Sequence, residues 1–243
     1  MNKHILILIL SLACFCHNIG YCQTDSITTT KNTFLKKEIV PLSLIGTGLY
    51  VNYAGGSLGK VNLQNSIQNG LNFHTKADNY LQFSPLAILA TADAFGIKTT
   101  NNIKVQAKNI VIITTTNYVL VQAIKAITNE TRPNGGKHSF YSGHTSNAFA
   151  LAGILHHELK SSYPFLSYTG YALATTTGVF RVLNNKHWVS DVLAGAGMGM
   201  LITDVFYRIQ SKDNSQKKQK KITSIFVPTI KDKSFGISGI LYF

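Results

Sequence analysis

The sequence has little cysteine and little negative charge. All three cysteines fall within the first 22 of 243 residues, so the remaining chain has no thiol for a disulfide or a thiolate metal site. Only 10 residues are Asp or Glu, against 23 Lys and Arg. This basic balance favours anionic partners, namely phosphoesters, lipid head groups or nucleic acid.

Arginine is scarcer than the basic balance suggests. The chain has three arginines, Arg132, Arg181 and Arg208, and its other basic residues are lysines. A guanidinium group can bind a phosphate through two parallel hydrogen bonds, which lysine cannot do. The position of each arginine is therefore informative.

The N-terminus is typical of an export signal. Lys3 precedes the twelve-residue apolar run "ILILILSLACFC", which is too short to span a bilayer comfortably. We predict a signal peptide over residues 1–22, cleaved between Cys22 and Gln23, and hence export to the periplasm. An alternative is lipid attachment at Cys14, although the preceding "SLA" fits such a signal poorly.

The remaining chain divides by composition. Residues 23–38 are polar and are predicted to be a linker. Residues 39–210 alternate apolar runs, rich in Ala, Leu and Gly, with short polar breaks, which predicts an all-α bundle of about six helices. Residues 211–221 predict a solvated basic linker, and residues 222–243 a β-hairpin tail around the turn "KDKS".

Two apolar runs, Ile39–Gly59 and Ser161–Phe180, reach the length of about twenty residues that a membrane span needs. Both contain proline and a polar part, and the mean hydropathy of the whole chain is close to neutral. We therefore expect a soluble or membrane-surface bundle rather than an integral one.

The first cluster of chemically active residues is "KAITNETRP". Lys125 and Arg132 are seven residues apart, so on one helix they would share a face, and Pro133 would end that helix. Taken alone, the cluster is also explained as cations that complement the dipole at a helix C-terminus.

The second cluster is "FYSGHTSNAF". Ser142 and Gly143 precede an apolar run, so they are predicted at a helix start, where unpaired N–H groups attract anions. Ser142 supplies a hydroxyl, Gly143 allows close approach to the backbone, and His144 can donate a proton near neutral pH. An ordinary helix cap is the structural alternative.

The third cluster is "RVLNNKHWVSD". His187 and Asp191 have a spacing of i, i+4, so on a helix they would face each other. A carboxylate that holds one ring nitrogen of a histidine leaves the other as a nucleophile or base. Arg181 lies one short loop earlier.

Together the three clusters resemble the ordered motifs KxxxxxxRP, PSGH and SRxxxxxHxxxD of the type 2 phosphatidic acid phosphatase (PAP2) superfamily, which also contains bacterial acid phosphatases and vanadate-dependent haloperoxidases. The stretches "DNYLQFSPLA" and "HWVSDVLAGAGMG" also resemble a signal-bearing bacterial branch of that superfamily. The matching residues are Lys125, Arg132, Pro133, Ser142, Gly143, His144, Arg181, His187 and Asp191. Two positions depart from the motifs, since Tyr141 replaces a proline and Phe180 replaces a serine.

The resemblance implies a role for each matching residue. His187 would attack phosphorus and form a phosphohistidine, Asp191 would hold His187 in its reactive tautomer, and His144 would protonate the leaving oxygen and then activate water. The residues implied to surround the phosphoryl oxygens are Lys125, Arg132, Ser142, Gly143 and Arg181. No metal or cofactor is implied.

The sequence therefore predicts a metal-independent phosphatase for phosphomonoesters or pyrophosphates, with lipids as the favoured substrates. The expected partners are the phosphorylated substrate and a membrane surface, and not nucleic acid. A vanadate-dependent haloperoxidase and a non-catalytic envelope scaffold are the alternatives. The stretches Gly195–Gly199 and His156–Glu158 imitate a dinucleotide loop and a metal site, but close helix packing explains them better.

Overall fold

The computed structural model describes residues 33–71, 73–219, 223–231 and 234–242, with side chains described for 38–71 and 73–211. The predicted signal peptide lies outside the described residues, as does most of the predicted linker 23–38. The last part of that linker belongs to the first helix, which begins at Thr33.

The described residues form eight α-helices and one 3-10 turn. In chain order these are α1 (Thr33–Tyr53), the 3-10 turn Gly56–Leu58, α2 (Lys60–Gln68), α3 (Ala77–Leu81), α4 (Ser84–Ala94), α5 (Ile103–Thr128), α6 (Gly143–Leu159), α7 (Pro164–Leu183) and α8 (Val189–Gln219). The expectation of about six helices was too low, because it counted apolar runs. Helices α2 and α3 are short and polar, so hydrophobic periodicity does not reveal them.

The chain divides into two compact units, residues 1–204 and 205–243. In the second unit, β1 (Thr223–Lys231) and β2 (Ser234–Tyr242) are antiparallel, with Thr223 opposite Tyr242. Helix α8 extends to Gln219, so most of the segment predicted as a basic linker, 211–221, is helical. Docking of the strands on the bundle or on a partner stays a prediction.

Helix α6 forms the centre of the first unit. Twelve of its 17 residues are buried, and it packs most extensively on α7, with further contacts to α5 and α4. Small residues allow this close approach, since a Cβ at Gly170 of α7 would lie 2.9 Å from the Leu155 side chain of α6. The N-terminus of α6 is thereby held among several helices.

The glycines of α8 allow it to lie close to two other helices. A Cβ at Gly195 would lie 2.7 Å from the carbonyl oxygen of Ser142, at the start of α6. A Cβ at Gly197 would lie 2.5 Å from the carbonyl oxygen of Pro41 in α1. Such distances exclude any side chain, so the interpretation of this stretch as helix packing is confirmed.

Two described helices are long and apolar enough to cross a membrane. They are α5 and the part Val189–Ser211 of α8. In the most apolar 18-residue stretch of each, 17% is buried in α5 and 50% in α8. The runs expected from the sequence, Ile39–Gly59 and Ser161–Phe180, are not among them. Helix α5 thus combines an apolar composition with a largely exposed surface.

The packing of α8 on α6 predicts the effect of one methyl group. In Gly199→Ala the new Cβ would overlap the carbonyl oxygen of Ser146, so the variant should unfold with a free energy about 1–3 kcal/mol lower than wild type. Gly46→Ala in α1 is the matched control, because nothing lies within 4 Å of its Cβ. Thermal unfolding of the full chain should show the control to be unchanged or slightly more stable. A Gly199→Ala variant that is as stable as wild type would contradict this packing.

Candidate active site

Three chain segments meet around Asp191, which lies in the first turn of α8. Lys125, at the end of α5, donates from Nζ to the carbonyl oxygen of Ser139, 3.0 Å away. Ser139 donates from Oγ to Asp191 Oδ2 at 2.5 Å, and the Ser142 N–H donates to the Asp191 carbonyl oxygen at 3.1 Å. The structure therefore brings together residues from all three predicted clusters.

The predicted pair of His187 and Asp191 is present. Nδ1 of His187 lies 3.0 Å from Oδ2 of Asp191, and both residues are almost fully buried. His187 lies just before α8, while Asp191 lies in its first turn and also accepts the Trp188 N–H at 3.1 Å, as in a helix capping box. Since Nδ1 donates to the carboxylate, Nε2 is the ring nitrogen with a free lone pair.

Helix α6 begins at Gly143, as predicted, with Ser142 as its N-cap. Ser142 Oγ accepts the Thr145 N–H at 3.4 Å and lies 2.9 Å from Thr145 Oγ1. A Cβ at Gly143 would come within 3.2 Å of the Val121 side chain. The Ser142 hydroxyl thus has a capping role in this structure, and its contact with phosphate stays a prediction.

The expectation that Lys125 and Arg132 share a helix face is wrong. Helix α5 ends at Thr128, and Asn129 adopts a left-handed conformation with φ 42°, so the helix stops five residues before Pro133. Arg132 lies in the following loop, where its N–H donates to the Gly136 carbonyl oxygen at 2.7 Å. The loop rather than the helix carries the arginine towards the site.

Arg181 lies in the last turn of α7 and is held by a residue outside the three clusters. Its Nη1 donates to Oδ2 of Asp78 in α3 at 2.7 Å, and the side chains are only 4% and 0% exposed. Burial lowers the pKa of Arg181, while the hydrogen bond and charge of Asp78 act in the opposite direction. A buried charge of this kind needs such a partner.

Two arginine donors remain unsatisfied. The Nε atoms of Arg132 and Arg181 are buried and have no hydrogen-bond partner among the described residues. The two guanidinium groups are near enough to lower the pKa of His144 together. Buried unpaired donors are rare because each costs about 1–3 kcal/mol, so a ligand with several acceptor oxygens would satisfy donors that the protein leaves unpaired.

Both histidines of the site have a pKa below the usual value, so both are neutral near pH 7. Burial, and then the charge of Arg181, lower the pKa of His144 to about 4, with Asp78 opposing them. Burial also lowers the pKa of His187 to about 4, although the hydrogen bond and charge of Asp191 act to raise it. A neutral His187 retains the lone pair that a nucleophile needs.

Sequence reasoning missed two residues of α3. Asp78 pairs with Arg181 as described, and Asn79 Oδ1 lies 3.1 Å from Nε2 of His144. Both lie far from the three clusters in sequence, and no motif spacing points to them. The stretch "DNYLQFSPLA", which contains both residues, has a loose likeness to the superfamily, but that likeness assigned neither of them a role.

The His156–Glu158 stretch has structural contacts. His156 Nδ1 lies 3.0 Å from Ser167 Oγ, His157 Nε2 lies 2.8 Å from Asp204 Oδ1, and Glu158 is fully buried. Within the described ranges, no three His, Cys, Asp or Glu side chains are grouped as a metal site would require.

Comparison with known proteins agrees with this geometry. Residues 134–215 match the sequence model of the PAP2 superfamily. A lipid A 1-phosphatase of Porphyromonas gingivalis is 39% identical over 141 residues, which cover 56% of this chain and 31% of that protein. The matched region thus spans about a third of the relative's length.

Two solved structures align with much of this chain. The transmembrane PAP2-type phosphatidylglycerolphosphate phosphatase of Bacillus subtilis aligns with a TM-score of 0.54 and 18% identity, over 71% of this chain and 96% of that one. Aquifex aeolicus LpxE aligns with a TM-score of 0.48 and 21% identity, over 61% and 94% of the two chains. The first of these supports the same helical fold for the first unit.

The unsatisfied arginine donors predict an anion-binding site. Arg132→Ala should weaken the binding of inorganic phosphate about 10- to 100-fold, since a charge-assisted hydrogen bond contributes about 1.5–3 kcal/mol. Arg132 is preferred to Arg181, because loss of Arg181 would strand the buried Asp78. Lys137→Ala is the control, since Lys137 is an exposed cation in the same loop. Isothermal titration should show less than about a twofold change in the control, and equal losses in both variants would contradict the site.

Proposed function

Because residues 134–215 match the PAP2 superfamily and a lipid A 1-phosphatase is 39% identical over 141 residues, we propose that the chain is a metal-independent phosphatase that removes phosphate from a lipid through a phosphohistidine. The observation that carries the proposal is the pair of buried, unpaired arginine Nε–H groups in a site that also holds a neutral, carboxylate-oriented histidine. Phosphate supplies the acceptor oxygens that those donors lack.

The first chemical step forms a covalent intermediate. Nε2 of His187 attacks phosphorus, the bond between phosphorus and the ester oxygen breaks, and the proton of His144 passes to the leaving oxygen. Asp191 stabilises the positive charge that develops on His187. Lys125, Arg132 and Arg181 stabilise the charge on the phosphoryl oxygens, which is the main contribution to catalysis of phosphoryl transfer.

The second step releases phosphate. His144, now neutral, takes a proton from a water molecule as the water oxygen attacks phosphorus. The bond between phosphorus and Nε2 breaks, and inorganic phosphate leaves. His187 and His144 return to their starting protonation states, so no other reactant is consumed.

The protein's own charges and burial favour only one of the two protonation states that this cycle needs. The lowered pKa of His187 keeps the nucleophile neutral, but the lowered pKa of His144 disfavours the acid. A bound phosphate anion offsets Arg132 and Arg181, and it therefore raises the pKa of His144 towards neutrality. Substrate binding thus promotes protonation of the acid that the reaction needs.

Two observations favour a lipid substrate. The curated relative is named for dephosphorylation of lipid A. Helix α5 exposes large apolar side chains along its length, including Val111, Tyr118 and Ile127, and exposed apolar surface of this kind is typical of membrane contact. Since Lys125 lies in the last turn of α5, this surface leads to the phosphate site. We place the site at the periplasmic face of a membrane, in line with the predicted export.

The alternatives have less support. Halide oxidation would use the same anion site, but the 39% identical relative is named as a phosphatase. A non-catalytic scaffold would not need two arginines whose Nε–H groups are buried and unpaired among the described residues, since such groups carry an energetic cost.

Replacement of His187 tests the proposed chemistry. His187→Ala should lower kcat on p-nitrophenyl phosphate by at least about 10³-fold, since no other described residue presents an oriented nucleophile. Wild-type enzyme that is quenched and kept at alkaline pH should carry phosphate on His187 by mass spectrometry, and acid should release that phosphate. All assays contain EDTA. Phosphate on another residue, or activity that requires an added divalent ion, would reject the mechanism.

An exposed side chain near the site tests the lipid preference. Ile127 is 82% exposed and lies two residues from Lys125. Ile127→Asp should lower turnover of a lipid phosphomonoester in mixed micelles about tenfold, because moving a charged side chain from water into the apolar micelle is unfavourable. It should leave turnover of the water-soluble p-nitrophenyl phosphate unchanged. Phe165→Asp is the control, since Phe165 is 88% exposed at the end of α7 remote from Arg181. Equal effects of Ile127→Asp on both substrates would contradict membrane access through α5.

A further inference from the structure

Helix α3 lies against the beginning of α6 through two polar contacts. Asn79 Oδ1 lies 3.1 Å from His144 Nε2, and Asn147 Nδ2 donates to Gln82 Oε1 at 3.3 Å. Asn79 and Gln82 are three residues apart, as are His144 and Asn147, so the contacts join matching faces of two helical segments. Only the first of them involves a residue of the proposed chemistry.

The segment that carries Asn79 is fixed independently of His144. The Thr75 N–H donates to Asn184 Oδ1 at 2.9 Å, and Asn184 Nδ2 donates to the Thr75 carbonyl oxygen at 3.0 Å. Gln82 Nε2 donates back to the Asn79 carbonyl oxygen at 2.9 Å. Asn79 therefore approaches His144 from a backbone anchored beside Arg181, and its position does not depend on the histidine.

The contact selects one tautomer of His144. An amide oxygen only accepts hydrogen bonds, so Nε2 must carry the proton. Nδ1 then has the free lone pair, and it makes no hydrogen bond within the described part of the chain. When the ring gains a second proton, that proton sits on Nδ1 while Nε2–H remains bound to Asn79.

The two site histidines are thus held in opposite ways. His187 gives Nδ1 to the carboxylate of Asp191, whereas His144 gives Nε2 to the neutral amide of Asn79. A carboxylate favours imidazolium, because its charge stabilises the cation. An amide orients the ring without that charge, so the protonated ring remains a stronger acid.

We propose that Asn79 is the positioning residue of the acid–base histidine: it directs Nδ1 of His144 at the leaving oxygen and, being neutral, keeps that group acidic enough to donate its proton. The proposal rests on the phosphatase function given above. Asn79 lies outside residues 134–215, the part of the chain that matches the family.

Other charged groups also act on His144. Arg181, Lys186 and Arg132 lower its pKa, and Asp78 raises it. All four remain in a variant at position 79, so a change in the titration of His144 can be assigned to that position. A carboxylate introduced there adds a second acidic neighbour beside Asp78.

The test uses the purified full chain with Asn79→Ala and Asn79→Asp. In Asn79→Ala, kcat on an alkyl phosphate should fall about tenfold or more, while kcat on p-nitrophenyl phosphate should change less than about threefold, because a good leaving group needs little protonation. In Asn79→Asp, the alkaline limb of the kcat profile should move up by about one pH unit or more, because the new charge raises the pKa of His144. Histidine ring NMR should show the same rise for His144 and none for His187.

Asn147→Ala is the matched control, since it removes the neighbouring contact with Gln82 but leaves both site histidines and the hydrogen bond from Gln82 to Asn79 in place. It should leave the pH profile and the ratio of the two substrates unchanged. The inference is overturned if Asn79→Ala slows both substrates equally, if Asn147→Ala gives the same pattern, or if the His144 resonance titrates in Asn79→Asp as in wild type. A wild type inactive on every phosphoester would count against the phosphatase instead, and the NMR titration would still decide the role of Asn79.

Discussion

The arrangement of the site depends on one buried oxygen atom. Oδ2 of Asp191 accepts hydrogen bonds from His187 Nδ1, Trp188 N–H and Ser139 Oγ, which come from the turn before α8 and from the loop after α5. A carboxylate in a low-dielectric interior needs several donors. The same group therefore caps α8, orients the ring of His187 and fixes the loop whose carbonyl oxygens hold Lys125.

A polar site of this kind is maintained against its energetic cost by tight packing around it. The Arg181–Asp78 pair is buried, and buried ion pairs add little to stability. Two arginine Nε–H groups have no partner among the residues that the structure describes. The glycines of α8 permit the close contact with α6 that holds Ser142 and Asp191 together, so tight packing keeps these polar groups in place.

The sequence was sufficient for the parts of the site that depend on local spacing. The i, i+4 pair of His187 and Asp191 and the N-cap at Ser142 both follow from short-range geometry, and the structure has both. The position of Arg132 could not be predicted from local spacing. Asn129 adopts a left-handed conformation and ends α5 before the chain reaches Pro133. Asp78 and Asn79 reach the site only through the tertiary packing of α3, for which a single sequence carries no periodic signal. The same reason explains why two short polar helices were not foreseen.

The central claim is that the phosphoryl group passes through His187 on its way to water. The stereochemical course at phosphorus tests it most directly, with an isotopically chiral phosphate ester as substrate and an acceptor alcohol that captures the phosphoryl group. Two in-line displacements, one by His187 and one by the acceptor, each invert the configuration, so the account predicts net retention. Net inversion would show a single direct displacement and would contradict the phosphohistidine.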